Sequence, residues 1–287
     1  MQERPADSLL KAFAAIIITM TAHCIDAGAQ TLTAMRDSVK GSYNFWLYQP
    51  GPLEKVTTVD DDGRMPLIVF LHGKSLSGTD LSKVRKYGPL HALAMGRKID
   101  AMVLAPQTSN GWTPSKVNML VDWVIDRYPV DPKRIYVIGM SMGGYGTVDY
   151  VGTYPDRIAA AMAICGGGSL RSYEGLRKVP LWILHGTADR AVPIEESRKV
   201  IAGMKLDSVP EEENMLIFTE LPGMDHSRPG RILYMVDTYE WLFMHRLDDN
   251  PRSVCRGFTI DPAAMEKAYT GLRSDLRPFK VIDRPNR

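Results

Sequence analysis

Six short runs along the chain are apolar at consecutive positions: residues 67–71 (LIVFL), 101–104 (AMVL), 135–138 (IYVI), 160–164 (AAMAI), 181–184 (LWIL) and 215–218 (MLIF). A strand without a polar face is covered on both sides, as in a parallel sheet sandwiched between helices. Segments with helical character separate the runs. They span 80–96 with Gly96 as C-cap, 116–128 stopped by Pro129, 141–154 stopped by Pro155, 194–205 and 230–246. This alternation predicts an α/β fold built on a doubly wound, mostly parallel sheet. Upstream, the aromatic run 43–48 (YNFWLY) and residues 56–59 predict antiparallel strands at the N-terminal edge. Beyond residue 250 the pattern fades into a tail rich in Arg and Pro, with one helical stretch at 261–274.

The first residues carry a different pattern. Residues 12–22 (AFAAIIITMTA) are apolar, but shorter than the about 20 residues that span a bilayer. Behind them Ala27-Gly28-Ala29-Gln30 offers the small residues a signal peptidase needs, which places cleavage after Ala29. The expected organisation is a signal peptide over 1–29, one domain over 30–249 and a C-terminal extension over 250–287. The expected location is secreted or periplasmic, with no stable membrane insertion of the mature chain.

Charge and cysteine content narrow the function. With 35 Lys and Arg against 33 Asp and Glu in 287 residues, the net charge is +2, and no block of like charges suggests a nucleic-acid partner. Cys24, Cys165 and Cys255 are too few and too scattered for a disulfide scaffold or a zinc site. Cys24 falls in the leader, and Cys165 reads as a buried strand residue. Neither HExxH nor CxxC occurs, so no metal site is expected. Gly73-Lys74-Ser75 reads like the end of a phosphate loop, but Ile68 stands where that loop needs glycine. Gly166-Gly167-Gly168 lacks the context of a dinucleotide fingerprint and reads as a flexible lip.

The strongest local signal is Gly139-Met140-Ser141-Met142-Gly143, a GxSxG placed directly after a strand and opening a helix. A sharp strand-to-helix turn strains the serine backbone and demands glycine where side chains would strike neighbouring backbone. It leaves the hydroxyl exposed at the carboxyl end of the sheet. Serine is a weak nucleophile unless a histidine takes its proton and a carboxylate orients that histidine. Asp189 lies five residues past the run 181–184, and His226 lies on the loop after 215–218. Of the other histidines, His23 is in the leader, His91 is mid-helix, His185 ends a strand and His245 falls on the polar side of the last helix. Asp225 is a rival acid, but it adjoins His226, and neighbouring side chains on a loop diverge. An oxyanion hole needs backbone N–H groups facing the serine, and Lys74, after the strand ending Leu71-His72-Gly73, and Met142 are placed to supply them.

Together GMSMGG, HGTADRAVP, the LHG strand end and GMDHS resemble the α/β-hydrolase superfamily, whose chain order of serine, acid and histidine matches Ser141, Asp189, His226. More narrowly, YNFWLYQP, APQ with Trp112, and WVIDRYPVDPKRIYVIGMSMGGYGT look like secreted bacterial esterases. That group includes phospholipase/carboxylesterase-like proteins, "predicted peptidases" and feruloyl and acetyl esterases. The resemblance covers about residues 42–246 and implies a serine esterase that needs no cofactor and acts on a small-molecule or polysaccharide ester. A serine peptidase with the same triad and a non-catalytic binding module on the same fold are the competing readings. The 48 positions from Ser141 to Asp189 leave no room for a cap domain, so an open cleft is expected. Trp112, Tyr145 and Tyr173 are placed to line it. Lys74, Arg190 and Arg228 add a hint of an anionic or sugar-acid substrate.

Overall fold

A computed structural model describes residues 30–52, 55–273, 275, 276 and 278–283, so the leader and its cleavage site lie outside the described residues. Among the described residues nine strands form one sheet: β1 (Thr31–Met35), β2 (Phe45–Gln49), β3 (Met65–Leu71), β4 (Met102–Pro106), β5 (Val130–Met140), β6 (Ala160–Ile164), β7 (Leu181–Gly186), β8 (Leu216–Leu221) and β9 (Lys280–Ile282). Their spatial order is β8-β7-β6-β5-β3-β4-β2-β1-β9. Every neighbouring pair from β4 through β8 is parallel, whereas β2 runs antiparallel to both β4 and β1.

The helices are α1 (Pro89–Ala94), α2 (Pro114–Ile125), α3 (Met142–Thr153), α4 (Glu195–Gly203), α5 (Val236–Phe243) and α6 (Pro262–Glu266). Leu90 and Leu93 of α1 and Trp241 and Leu242 of α5 cover one face of the sheet. Val117 and Val121 of α2, Val148 and Val151 of α3 and Val200 of α4 cover the other. This two-sided cover explains why the central strands are apolar at consecutive positions, and it makes the sheet doubly wound. In α2 the buried residues Val117, Leu120, Val121 and Val124 recur at helical spacing behind a helix-starting Pro114.

Several expected elements are remodelled. The stretch 80–96 breaks at Gly88 (φ +83°), where a side chain would run into the ring of Phe70, leaving a 3-10 segment over Leu81–Lys86 before α1. The stretch 230–246 begins as a 3-10 segment over Arg228–Tyr234 before α5. Residues 56–59 form a turn instead of a strand. Strand β5 starts five residues earlier than its apolar run because buried Asp131 pairs with Arg134 (2.7 Å) and Arg246 (3.2 Å). His245 is buried, with Nδ1 donating to the Trp241 carbonyl (2.9 Å) and Nε2 accepting from the Cys255 N–H (3.0 Å), so it does not face solvent.

The tail packs on the body. Ile260, Met265 and Ala268 are buried, β9 pairs with β1, and Glu266 holds both Arg228 and Arg231. Among the described residues its helical part is α6, shorter than the expected 261–274. Between Ser141 and Asp189 the chain passes through α3, β6, 3-10 turns and β7, with no inserted cap. Among the described residues no helix is long and apolar enough to cross a membrane.

Candidate active site

Strand β5 ends at Met140 and α3 begins at Met142, so Ser141 alone makes the turn, with φ +59° and ψ −121°. A non-glycine residue in that region is strained, and the flanking packing holds it there. The Ser141 N–H donates to the Ile164 carbonyl at the end of β6 (2.8 Å). A Cβ at Gly139 would overlap the Gly143 carbonyl and one at Gly143 the Leu71 carbonyl, so both glycines are demanded by close backbone approach.

The loops after β7 and β8 meet over this turn. His226 Nε2 lies 2.8 Å from Ser141 Oγ, and its Nδ1 lies 2.6 Å from Asp189 Oδ2. A carboxylate only accepts, so Nδ1 carries the proton and Nε2 is free to receive that of the serine. Burial raises the Asp189 carboxyl, but the Val192 N–H, the His226 ring and the Ala191 N–H outweigh it and hold its pKa below the usual carboxylate range. Asp225 turns away and accepts from the Ser227 N–H and hydroxyl.

Two residues that the sequence reading assigned no part in this site support it from beneath. His185 Nε2 donates to the Val192 carbonyl (2.8 Å), fixing the loop whose amides hold Asp189, and its Nδ1 contacts Ser197 Oγ (2.7 Å). Cys165 lies just past β6 rather than within it, in a left-handed conformation (φ +47°). Its sulfur, an Asp189 oxygen and a His226 nitrogen lie within 4.8 Å of one another. Burial pushes the thiol pKa up to about 12, and the nearby Asp189 carboxylate pushes it the same way, so the thiol stays protonated. Cys165 and Cys255 are both free.

A cavity of 660 Å³ opens at Ser141, lined by Lys74, Tyr87, Met140, Met142, Tyr145, Val192 and His226 among others. Among the described residues, neither the Lys74 nor the Met142 backbone N–H has a protein acceptor. Tyr145 lines the cavity and donates to Glu196 (3.1 Å). Trp112 and Tyr173 are not among its lining residues. Trp112 packs edge-on against His72, and Tyr173 covers Gly168 and Gly203. Gly166 and Gly167 are buried against α3 and the Tyr145 ring, so this segment is a packed contact and not a flexible lip. Arg228 is paired with Glu266, which removes it from the expected cationic set, while Lys74 and Arg190 are exposed.

No family model matches the chain. It is 33% identical over 73 residues to a bifunctional acetylxylan esterase/xylanase of Neocallimastix patriciarum, a match covering 25% of this chain and 11% of that protein. A solved thermostable esterase aligns with TM-score 0.59 and 26% identity, covering 76% of this chain and 63% of that one. A substrate-bound fluorophosphonate-binding serine hydrolase of Staphylococcus aureus aligns with TM-score 0.52 and 16% identity over 75% of this chain and 99% of its own. The last likeness concerns the fold alone. The chain thus spans under two thirds of the length of the first two proteins.

Proposed function

We propose that this member of the α/β-hydrolase superfamily is a serine hydrolase of carboxylic esters, acting on short-acyl or polysaccharide-linked acetyl and feruloyl esters. The observation that carries the reading is the unbroken line from Ser141 Oγ through the His226 ring to the Asp189 carboxylate, at 2.8 and 2.6 Å. In this reading Ser141 Oγ attacks the ester carbonyl while His226 Nε2 takes its proton, and Asp189 holds the ring tautomer and stabilises the imidazolium. The carbonyl oxygen gains negative charge and is met by the Lys74 and Met142 N–H groups. His226 gives its proton to the leaving alcohol. It then activates water, which releases the acid from the acyl-enzyme and restores the Ser141 hydroxyl.

We also infer that residues 1–29 are a leader removed on export, leaving 30–249 as the catalytic body and 250–287 as its extension. The acetylxylan esterase likeness and the absence, among the described residues, of a cap inserted between Ser141 and Asp189 support a bulky polymeric alcohol. The test is hydrolysis of p-nitrophenyl acetate, butyrate and octanoate by the chain from Gln30, with Ser141→Ala as the blank. Serine-dependent turnover that falls with acyl length is expected. Turnover equal to the blank on all three overturns the reading and moves the search to peptide substrates.

A further inference from the structure

We infer that His72 is a positioning residue for the oxyanion hole, acting through the Gly73–Lys74 peptide; this rests on the serine-hydrolase reading above. The Thr108 N–H donates to His72 Nε2 (3.2 Å), so that nitrogen carries no proton. The ring proton is therefore on Nδ1, which lies 2.7 Å from the Gly73 carbonyl and donates to it. The Leu76 N–H donates to the same oxygen (3.2 Å).

The Gly73 carbonyl and the Lys74 N–H belong to one planar trans peptide, so they point in opposite directions. Holding the oxygen therefore aims the N–H. Gly73 lies against the nucleophile: a Cβ there would stand 3.3 Å from Ser141 Cβ and 3.9 Å from Ser141 Oγ. Lys74 lines the same cavity, and among the described residues its N–H has no protein acceptor. The hydrogen bonds of His72 thus turn an unused donor toward the place where charge develops.

The ring is itself fixed. His72 is wholly buried, Trp112 packs edge-on against it with centroids 4.9 Å apart, and the Trp112 indole N–H donates to the His72 carbonyl (3.1 Å). This gives Trp112 a place in the site as a buttress, without contact with the cavity. Burial pushes the His72 pKa down to about 4, against the Gly73 hydrogen bond, in keeping with a neutral ring.

The test compares His72→Leu, which removes both ring hydrogen bonds, with His72→Asn, whose amide replaces the Nδ1 donor. For His72→Leu, kcat on p-nitrophenyl acetate is expected to fall by about tenfold to a hundredfold, less than the full loss of an oxyanion donor. KM should change little. Affinity for a boronic acid that forms a tetrahedral adduct on Ser141 should fall by the same factor as kcat/KM, and His72→Asn should recover most of it. Unchanged kcat and boronate affinity in folded His72→Leu overturn the inference while leaving the esterase reading intact. Absence of Ser141-dependent turnover in the wild-type chain overturns both. Should His72→Leu fail to fold, nitrogen NMR of the wild-type ring decides: a proton on Nδ1 is expected, and a proton on Nε2 overturns the inference.

Discussion

Gly143 in the first turn of α3 lies so close to Leu71 at the end of β3 that a methyl group on Gly143 would overlap the Leu71 carbonyl oxygen. Both sides of this contact are backbone, so neither gives way as a flexible side chain would. Gly143→Ala must push α3 away from β3 and carry the Met142 N–H with it. Overpacking of this kind costs about 1–3 kcal/mol or more, and the variant is expected to show a lowered Tm together with a large loss of kcat. Wild-type Tm and kcat would show that the turn tolerates a side chain.

Gly230 packs against two side chains that line the cavity. A Cβ there would overlap the Tyr87 hydroxyl and approach Met140 Sδ to 2.6 Å, and both of those side chains line the space beside Ser141. Gly230→Ala is expected to drive them inward and shorten the acyl site. The ratio of kcat/KM for p-nitrophenyl butyrate over acetate should fall by about tenfold, the scale of discrimination by a methylene or two in an apolar pocket. An unchanged ratio would mean that the acyl chain lies elsewhere.

Stability should depend on pH through imidazoles that folding removes wholly or partly from water. Burial lowers the His72 pKa from 6.5 to about 4, and His91 and His245 move in the same direction. Between those values the unfolded chain binds a proton that the folded chain refuses. The stability contributed by neutral His72 is therefore complete above its unfolded pKa and is lost as pH falls toward 4. On this basis it is on the order of 3 kcal/mol. Urea midpoints at pH 7.5 and 4.5 should differ more for the wild type than for His72→Asn, and equal differences would exclude this linkage.

The C-terminal segment should be needed for folding. Arg252 donates to the carbonyls of Lys178 (2.6 Å), Ile158 (2.8 Å) and Ala159 (3.0 Å), while Ile260, Met265 and Ala268 are buried against the body. Losing this burial should cost roughly 4–8 kcal/mol, comparable to the whole stability of a domain. A chain ending at Asp249 is expected to be largely unfolded at 25 °C by circular dichroism. A cooperative transition with a Tm within about 3 °C of the full chain would contradict this.

The sheet was legible because consecutive apolar residues mark strands covered on both faces, and Leu67 to Leu71 or Ala160 to Ile164 read that way without ambiguity. Ser141, Asp189 and His226 were legible for a related reason, since each follows the carboxyl end of an apolar strand run, although β8, before His226, is an edge strand and only half-covered. What escaped is set by tertiary contact. The Asp131–Arg134 pair hides the start of β5 behind polar residues, and the Phe70 ring breaks the helical stretch at Gly88. Trp112 and Tyr173 carry no local sign of which neighbour they pack on, so their exclusion from the cavity appears only in three dimensions. The supporting parts of His72 and Cys165 depend on partners 36 and 24 residues away, Thr108 and Asp189, beyond the reach of any local pattern.

Covalent trapping tests most directly whether Ser141 is the nucleophile. The chain is treated with a fluorophosphonate probe, and the adduct is located by intact mass and peptide mapping. One adduct per chain on Ser141 is predicted, forming at a rate reduced by about a thousandfold or more in Asp189→Asn, where the histidine tautomer is no longer held. No adduct on a folded chain, or an adduct on a residue other than Ser141, would contradict it.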